Sequence, residues 1–271
     1  MARGFSFENW FPTVVLKLSL VVHALGLLAL IPFPRAWPWI LGTMVAVHLA
    51  LLVICMIPKS GLFGPNITRL DLDPGDPRVG LSFDDGPDPA VTPEVLEILD
   101  RYGARASFFC IGERAEAHPE LIRQIVSRGH RVENHTFRHF HRFAFLGPWS
   151  MGREIDRAQA SLGRLAGEPP AYFRAPAGFH NPLLAGVLAS RELRLVSWTR
   201  RAFDTFETNP DRIVERLTRN LAAGDVLLLH DGSACRGTDG RPVVLTALPR
   251  LLDVLDQRRL TSTFIPPPNG G

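Results

Sequence analysis

Apolar residues fall along this chain in two regimes. As far as residue 57 they form two nearly unbroken runs, Phe11–Ile31 and Trp37–Ile57; the first contains Lys17 and the second no Asp, Glu, Lys or Arg. A helix of about 20 apolar residues crosses ~30 Å of hydrocarbon, so the pattern predicts two transmembrane helices. Pro32-Phe33-Pro34-Arg35-Ala36 between them suits a hairpin, and Trp10, Trp37 and Trp39 sit where an interfacial aromatic belt would place them. A cleaved signal peptide is the competing reading. It is disfavoured because no small-residue cleavage site follows Ile31 and a second apolar run begins at once. His23 and His48 interrupt the runs, and two neutral imidazoles hydrogen-bonded across the hairpin would satisfy both.

Beyond residue 59 the pattern changes. Residues 60–77 are rich in Gly, Pro and Asp and read as a linker, with a soluble domain over 78–271 after an anchor over 1–59. In that domain short apolar runs alternate with amphipathic ones. Strands are predicted at 78–83, 106–111, 130–135, 171–174, 193–198 and 225–230. Helices are predicted at 93–102 (after a Thr92 cap), 119–128 (closed by Gly129), 150–165, 181–190, 210–222 and 243–257. Alternation of this kind argues for an α/β fold, a parallel sheet with helices outside it, open or closed as a barrel.

Composition refines this picture in three places. The hydrophobic fraction of 46% is ordinary overall, so the excess lies in the N-terminal runs. The net charge of +3 comes from 28 Arg and 2 Lys dispersed against 27 acidic residues, with no basic block, and nothing in it points to nucleic acid. Arg3 precedes the first run and Lys17 lies near its start, Lys59 and Arg69 follow the second, and Arg35 alone occupies the turn, so the positive-inside rule leans towards a multi-pass inner-membrane protein with both ends of the hairpin, and the soluble domain, in the cytoplasm. Cys55, Cys110 and Cys235 do not form a disulfide framework, which fits a reducing compartment.

The candidate chemistry starts at Leu81–Pro89, LSFDDGPDP. Side chains alternate faces along a strand, so Asp84 and Asp85 both point into one site only if the chain bends there, and Gly86 permits a bend. Paired carboxylates at the mouth of a buried strand call for a metal or a cation; the same residues are also ordinary turn chemistry. His135 and His139 stand four apart in HTFRH, and a helical turn would bring both to one ion. With Asp85 they make two imidazoles and a carboxylate. That set suits catalytic Zn²⁺ and also Co²⁺ or non-haem Fe²⁺. Asp84, Asp85, His135, Arg174, Asp204 and His230 all follow predicted strands at the edge where parallel α/β folds build sites.

Taken in order, these segments resemble the polysaccharide deacetylases, the NodB-homology family (carbohydrate esterase family 4), over roughly 78–231. The motifs are LSFDDGP at 81–87, HTFRH at 135–139, RAPAG at 174–178, Trp198 with Asp204, and LLHD at 228–231. The resemblance implies a deformed (β/α)7-type barrel behind the N-terminal two-helix hairpin. It also implies a hydrolase that removes an N-acyl group, N-acetyl first, from an amino sugar in a polysaccharide or glycoconjugate. The implied cofactor is a divalent metal, Zn²⁺ ahead of Co²⁺, Fe²⁺ or Ni²⁺, held by Asp85, His135 and His139. Asp84 is the implied general base, positioned by Arg174, and His230 the general acid, held by Asp204. The backbone N–H of Ala177 is the implied oxyanion donor.

Two departures from the family pattern stand out. Position 177 is Ala where an aromatic residue is usual, and Thr205 follows Asp204 where Trp is usual, with Arg200-Arg201 beside it. Substrates inherited from chitin or peptidoglycan are therefore open. The alternatives are a deformylase or deacetylase of a polyprenyl-phosphate-linked amino sugar, an inactive carbohydrate-binding relative, and an Fe²⁺ oxygenase built on the same triad.

Overall fold

The structure, a computed structural model, describes residues 12–267; Arg3, Trp10 and Phe11 lie outside the described residues. Two apolar helices come first, α1 (Val14–Ala29) and α2 (Trp37–Cys55). They pack against each other near Gly26 and through a pair of imidazole rings. A Cβ on Gly26 would come within 3.1 Å of Ile40 and Met44, and the His23 and His48 rings meet edge to face at 5.0 Å. The two histidines do not bond across the pair as expected. Each Nδ1 donates to the carbonyl one turn back in its own helix, Ser19 at 2.7 Å and Met44 at 2.8 Å. Neither helix buries a residue, and Leu18, Leu25, Trp39 and Leu49 stand in the open. Among the described residues one helix, Pro34–Cys55 with its leading turn, is long and apolar enough to cross a membrane. The expected pair of full spans is not reproduced, because the 16 residues of α1 rise only about 24 Å against a core of ~30 Å.

The stretch 60–77, expected as a linker, carries β1 (Asn66–Ile67), and it buries Phe63 and Leu70. The domain continues through β2 (Arg78–Asp84), α3 (Thr92–Arg101), β3 (Ser107–Cys110), α4 (Gly112–Ala117), α5 (Pro119–Ser127), β4 (Arg131–Asn134) and α6 (Pro148–Ala166). Then come β5 (Tyr172–Phe173), α7 (Leu184–Ala189), β6 (Arg194–Val196), β7 (Arg200–Arg201), α8 (Pro210–Thr218), β8 (Val226–His230), α9 (Val243–Gln257) and β9 (Thr261–Thr263).

The strands form one parallel sheet in the order β1-β6-β5-β4-β3-β2-β8-β7, with β9 added beside β2. This is the expected (β/α) barrel left open on one side. At the seam Thr199 Oγ1 donates to the Thr68 carbonyl at 2.6 Å, and Arg69 meets Asp225 both as an isolated backbone bridge and through its side chain. β2 is central and buried on both faces: Val79, Leu81 and Phe83 line the apolar one, and Gly80, Ser82 and Asp84 the one that leads to the barrel interior. One face packs on α3, α5, α8 and α9 through Leu96, Ile122, Ile213 and Leu248. The barrel interior is filled by Phe109, Tyr172, Trp198 and Leu228. Thr92 does not cap α3. It is the first helical residue, and its hydroxyl donates to Asp231 at 2.6 Å.

Candidate active site

The pocket opens at the C-terminal ends of the strands, a cavity of about 340 Å³ lined by Asp84, Asp85, His135, His139, Ala177 and His230 among others. β2 delivers the two aspartates, and the bend expected at Gly86 falls one residue earlier. Asp85 itself has φ 70°, which turns its carboxylate to the same side as that of Asp84. Gly86 is required for a different reason: a Cβ there would lie 2.2 Å from the Asp231 carboxylate.

His135 and His139 do meet, but not on a helical turn. The segment after β4 is irregular, and Thr136 (φ 65°) and His139 (φ 53°) are both left-handed. Asn134 and Thr136 hold this shape by accepting from the backbone of Thr136 and His139, each at 2.9 Å. Left-handed non-glycine residues cost about 1–3 kcal/mol each and persist where the surroundings over-determine them. Here they aim His135 Nε2 and His139 Nε2 at Asp85 Oδ1, 3.3 and 3.1 Å away.

The donor atoms of Asp85, His135 and His139 lie within 4.8 Å of one another, a grouping able to hold a metal ion. Two further features fit one. His135 Nδ1 donates to the Arg174 carbonyl at 2.8 Å, which leaves Nε2 free as a ligand. Asp85 Oδ2 accepts from the Ser233 hydroxyl, which leaves Oδ1 facing the imidazoles. Burial opposes ionisation of Asp85, yet the His135 hydrogen bond and the charges of His135, His139 and His230 hold its carboxyl well below the usual range. Burial and the neighbouring His135 push His139 down to about 4, so that ring is neutral at pH 7; burial of His135 is outweighed by Asp84 and Asp85, which raise it, and a bound metal would displace its Nε2 proton.

Asp84 sits beside this group, its Oδ2 3.9 Å from His135 Nε2. Its Oδ1 takes a hydrogen bond from Arg174 Nη1 at 2.6 Å. Arg174 is wholly buried and spends its other donors on Ser82 Oγ (3.0 Å), Ser197 O (3.0 Å) and Val196 O (3.3 Å), with its plane 3.8 Å over Phe109. Removing one partner of such a buried pair costs about 3–5 kcal/mol.

On the far wall, β8 presents His230. Its Nδ1 is 2.7 Å from Asp204 Oδ1, and Asp204 Oδ2 also accepts from the His230 backbone N–H at 2.8 Å. Burial works against the charged ring, but Asp204 outweighs it and raises the pKa above the ordinary imidazole value. Ala177 lines the cavity with φ 55°. All eight residues expected at the site are thus brought together.

Of the other histidines, His118 is paired with Glu120 at the surface and His130 packs on Phe108 in the core. His141 lines the pocket against His139, its ring centroid 5.8 Å away. The sequence reading missed Ser233 and Arg114. Arg114 clamps two loops by donating to the Asp85 (2.9 Å) and Gly232 (2.8 Å) carbonyls. Ser233 lies two residues beyond LLHD, the only clue to it; no local pattern marks Arg114.

The sequence model for polysaccharide deacetylase matches residues 71–196. The chain is 34% identical over 198 residues to a chitooligosaccharide deacetylase of Sinorhizobium fredii, covering 71% of this chain and 92% of that one. It is 32% identical over 182 residues to a peptidoglycan-N-acetylglucosamine deacetylase of Bacillus cereus, covering 66% and 82%. Among solved structures, a family 4 carbohydrate esterase from Streptomyces lividans in complex with acetate superimposes with a TM-score of 0.64 at 35% identity, covering 71% and 95%.

Proposed function

Because the chain belongs to the polysaccharide deacetylase family, we propose that it is a metal-dependent hydrolase that removes the acetyl group from an N-acetylated amino sugar of a glycan. The observation that carries this reading is the meeting of Asp85, His135 and His139 with Asp84 and His230 around one cavity. Asp85, His135 and His139 would hold the ion, and two imidazoles with one carboxylate favour Zn²⁺. When bound, the ion supplies Lewis acidity and makes water a better nucleophile near pH 7.

The remaining work belongs to the chain. Asp84, pinned by Arg174, takes the proton from the attacking water. The Ala177 N–H donates to the oxyanion as the acyl carbon becomes tetrahedral. His230, kept cationic by Asp204, passes its proton to the sugar nitrogen, which cannot leave as an anion. The C–N bond then breaks to give the free amine and acetate. Purified full-length protein loaded with Zn²⁺ should release acetate from N-acetylglucosamine oligomers, and no release from any N-acetyl or N-formyl sugar in a broad panel would overturn the reading.

The exposed apolar helices support membrane anchoring as a hairpin, α2 forming a full span with α1 beside it. Lys17, Lys59 and Arg69 against Arg35 favour the cytoplasmic side for the domain. A C-terminal fluorescent reporter that is dark, paired with an active alkaline phosphatase fusion, would reverse that orientation. A second reading of the substrate, an amino sugar on a polyprenyl phosphate, is favoured by one observation: the residues leaving α2 pack behind the pocket wall. Pro58 and the Trp198 ring both close on Gly178, and Ser197 Oγ donates to the Pro58 carbonyl at 2.6 Å.

A further inference from the structure

Strand alternation gives the adjacent arginines of β7 opposite surroundings. Arg200, in register with Leu227, turns away from the pocket and closes on Asp225, Nε to Oδ2 2.8 Å. Arg201 is in register with Leu228, so it shares a face with His230 two residues on, and it lines the catalytic cavity. Its guanidinium lies over the rings of Trp198 (5.4 Å) and Phe203 (5.2 Å). Phe203 takes a left-handed φ of 60° to reach it. Among the described residues no carboxylate pairs with Arg201, and its Nε is buried without a hydrogen-bond partner.

A guanidinium stays charged in any protein environment. The pocket therefore holds a permanent cation that no carboxylate among the described residues neutralises, next to a grouping that itself takes a cation. A buried donor without a protein partner is costly unless an ion, a water or a ligand supplies the acceptor, and a ligand entering this pocket can supply one. The planar fork of arginine suits the oxygens of a phosphate or carboxylate. The surroundings select phosphate. The segment leaving α2 is bonded to residues beside the pocket wall: the His180 N–H donates to the Cys55 carbonyl at 3.3 Å, and Lys59 Nζ to the Thr199 carbonyl at 2.6 Å. The mouth is thereby held at the end of a membrane-length helix. Behind Ala177–His180 a second cavity of about 340 Å³ is lined by Phe63, Ile67, His180, Leu188 and Leu195, a largely hydrocarbon wall.

We propose that Arg201 forms an oxyanion subsite inside the catalytic pocket, and that the amino sugar taken there is a glycosyl phosphate. The proposal rests on the deacetylase reading above and narrows its substrate class. It is tested on the full chain in detergent, loaded with Zn²⁺, with three substrates: methyl N-acetylglucosaminide, N-acetylglucosamine 1-phosphate, and that phosphate esterified to a long isoprenoid in micelles. Wild type is expected to favour the sugar phosphate over the neutral glycoside in kcat/KM by about tenfold or more. Arg201→Gln should bring that ratio close to one, and Arg201→Lys should recover part of it, a charge without the fork. A further gain from the isoprenoid assigns the phosphate to a membrane lipid; equal rates assign it to a soluble sugar phosphate. Equal kcat/KM for the neutral and phosphorylated sugars in wild type overturns the proposal. So does a preference that survives Arg201→Gln, which would belong to the metal. Calorimetric titration of N-acetylglucosamine 1-phosphate reads the subsite without turnover, with binding about tenfold weaker in Arg201→Gln. Absent turnover of all three sugars with that difference intact would refute deacetylation and not the subsite.

Discussion

The two sides of the pocket are both built from histidine and aspartate, yet they are wired for different work. On the β2–β4 side, His135 and His139 turn their Nε2 atoms on one oxygen of Asp85, and the outer atoms are tied back by Arg174 and Ser233. Donors converge there with their inner faces free, the arrangement of a cation site. On the β7–β8 side, His230 Nδ1 is closed on Asp204, which is itself wholly buried and spends its second oxygen on the His230 backbone. That pair leaves only the far ring nitrogen open to the pocket, the arrangement of a proton donor. The same residue types therefore separate by which nitrogen the fold ties down. Two kinds of variant should keep them apart.

The largest effect is expected on the converging side. His135→Ala or His139→Ala should lose bound metal and turnover together, by about 10³-fold or more, whereas His118→Ala should change neither. Metal analysis by plasma emission beside an acetate-release assay reads both, and a His139→Ala protein that keeps its metal would break the comparison at its root. Next come the proton-handling groups. Asp84→Asn and His230→Ala should each lower kcat by about 10²–10⁴-fold with metal content unchanged; loss of metal in Asp84→Asn would move that residue into the ligand set.

Ser233→Ala sharpens the difference by touching only the tie behind Asp85. Metal affinity should fall about 10–100-fold, while turnover at saturating Zn²⁺ stays close to wild type. Competition with a chelator measures this, and an unchanged affinity would make the hydroxyl irrelevant. The smallest effect is one of pH. The active form needs His230 protonated, and Asp204 raises its pKa, so activity should persist above the ordinary imidazole value and fall as pH rises through the raised one. In Asp204→Asn the charge is gone and the alkaline limb of kcat/KM should move to lower pH. A limb that stays in place would assign it to another group, such as water on the metal.

Much of the site was legible in the sequence because its residues lie at strand ends, and strands are read from short apolar runs. Asp84 and Asp85 after Phe83, His135 after β4 and His230 after Leu229 need only that reading. The errors came where local rules were extended to irregular backbone. A helical turn was expected through HTFRH, but two left-handed residues make the same approach. Thr92 was expected as a cap, and it serves Asp231 from 139 residues away. The stretch 60–77 has linker composition, yet Asn66–Ile67 finds a sheet edge beside β6 that no local pattern announces.

By itself the sequence determined the apolar N-terminal runs, the strand–helix alternation, and the motifs whose order carries the family. Each depends on side-chain chemistry and periodicity within a few residues, which survive without knowledge of the fold. Only the tertiary structure decided which of two adjacent arginines enters the pocket and which ring nitrogen is free. It alone showed that Ser233 holds Asp85 and that the exit from α2 packs behind the pocket wall. Those facts depend on contacts between residues such as Pro58 and Ser197, 139 apart in the chain. Packing brings such residues together through the summed burial of many others, and no local pattern contains that sum.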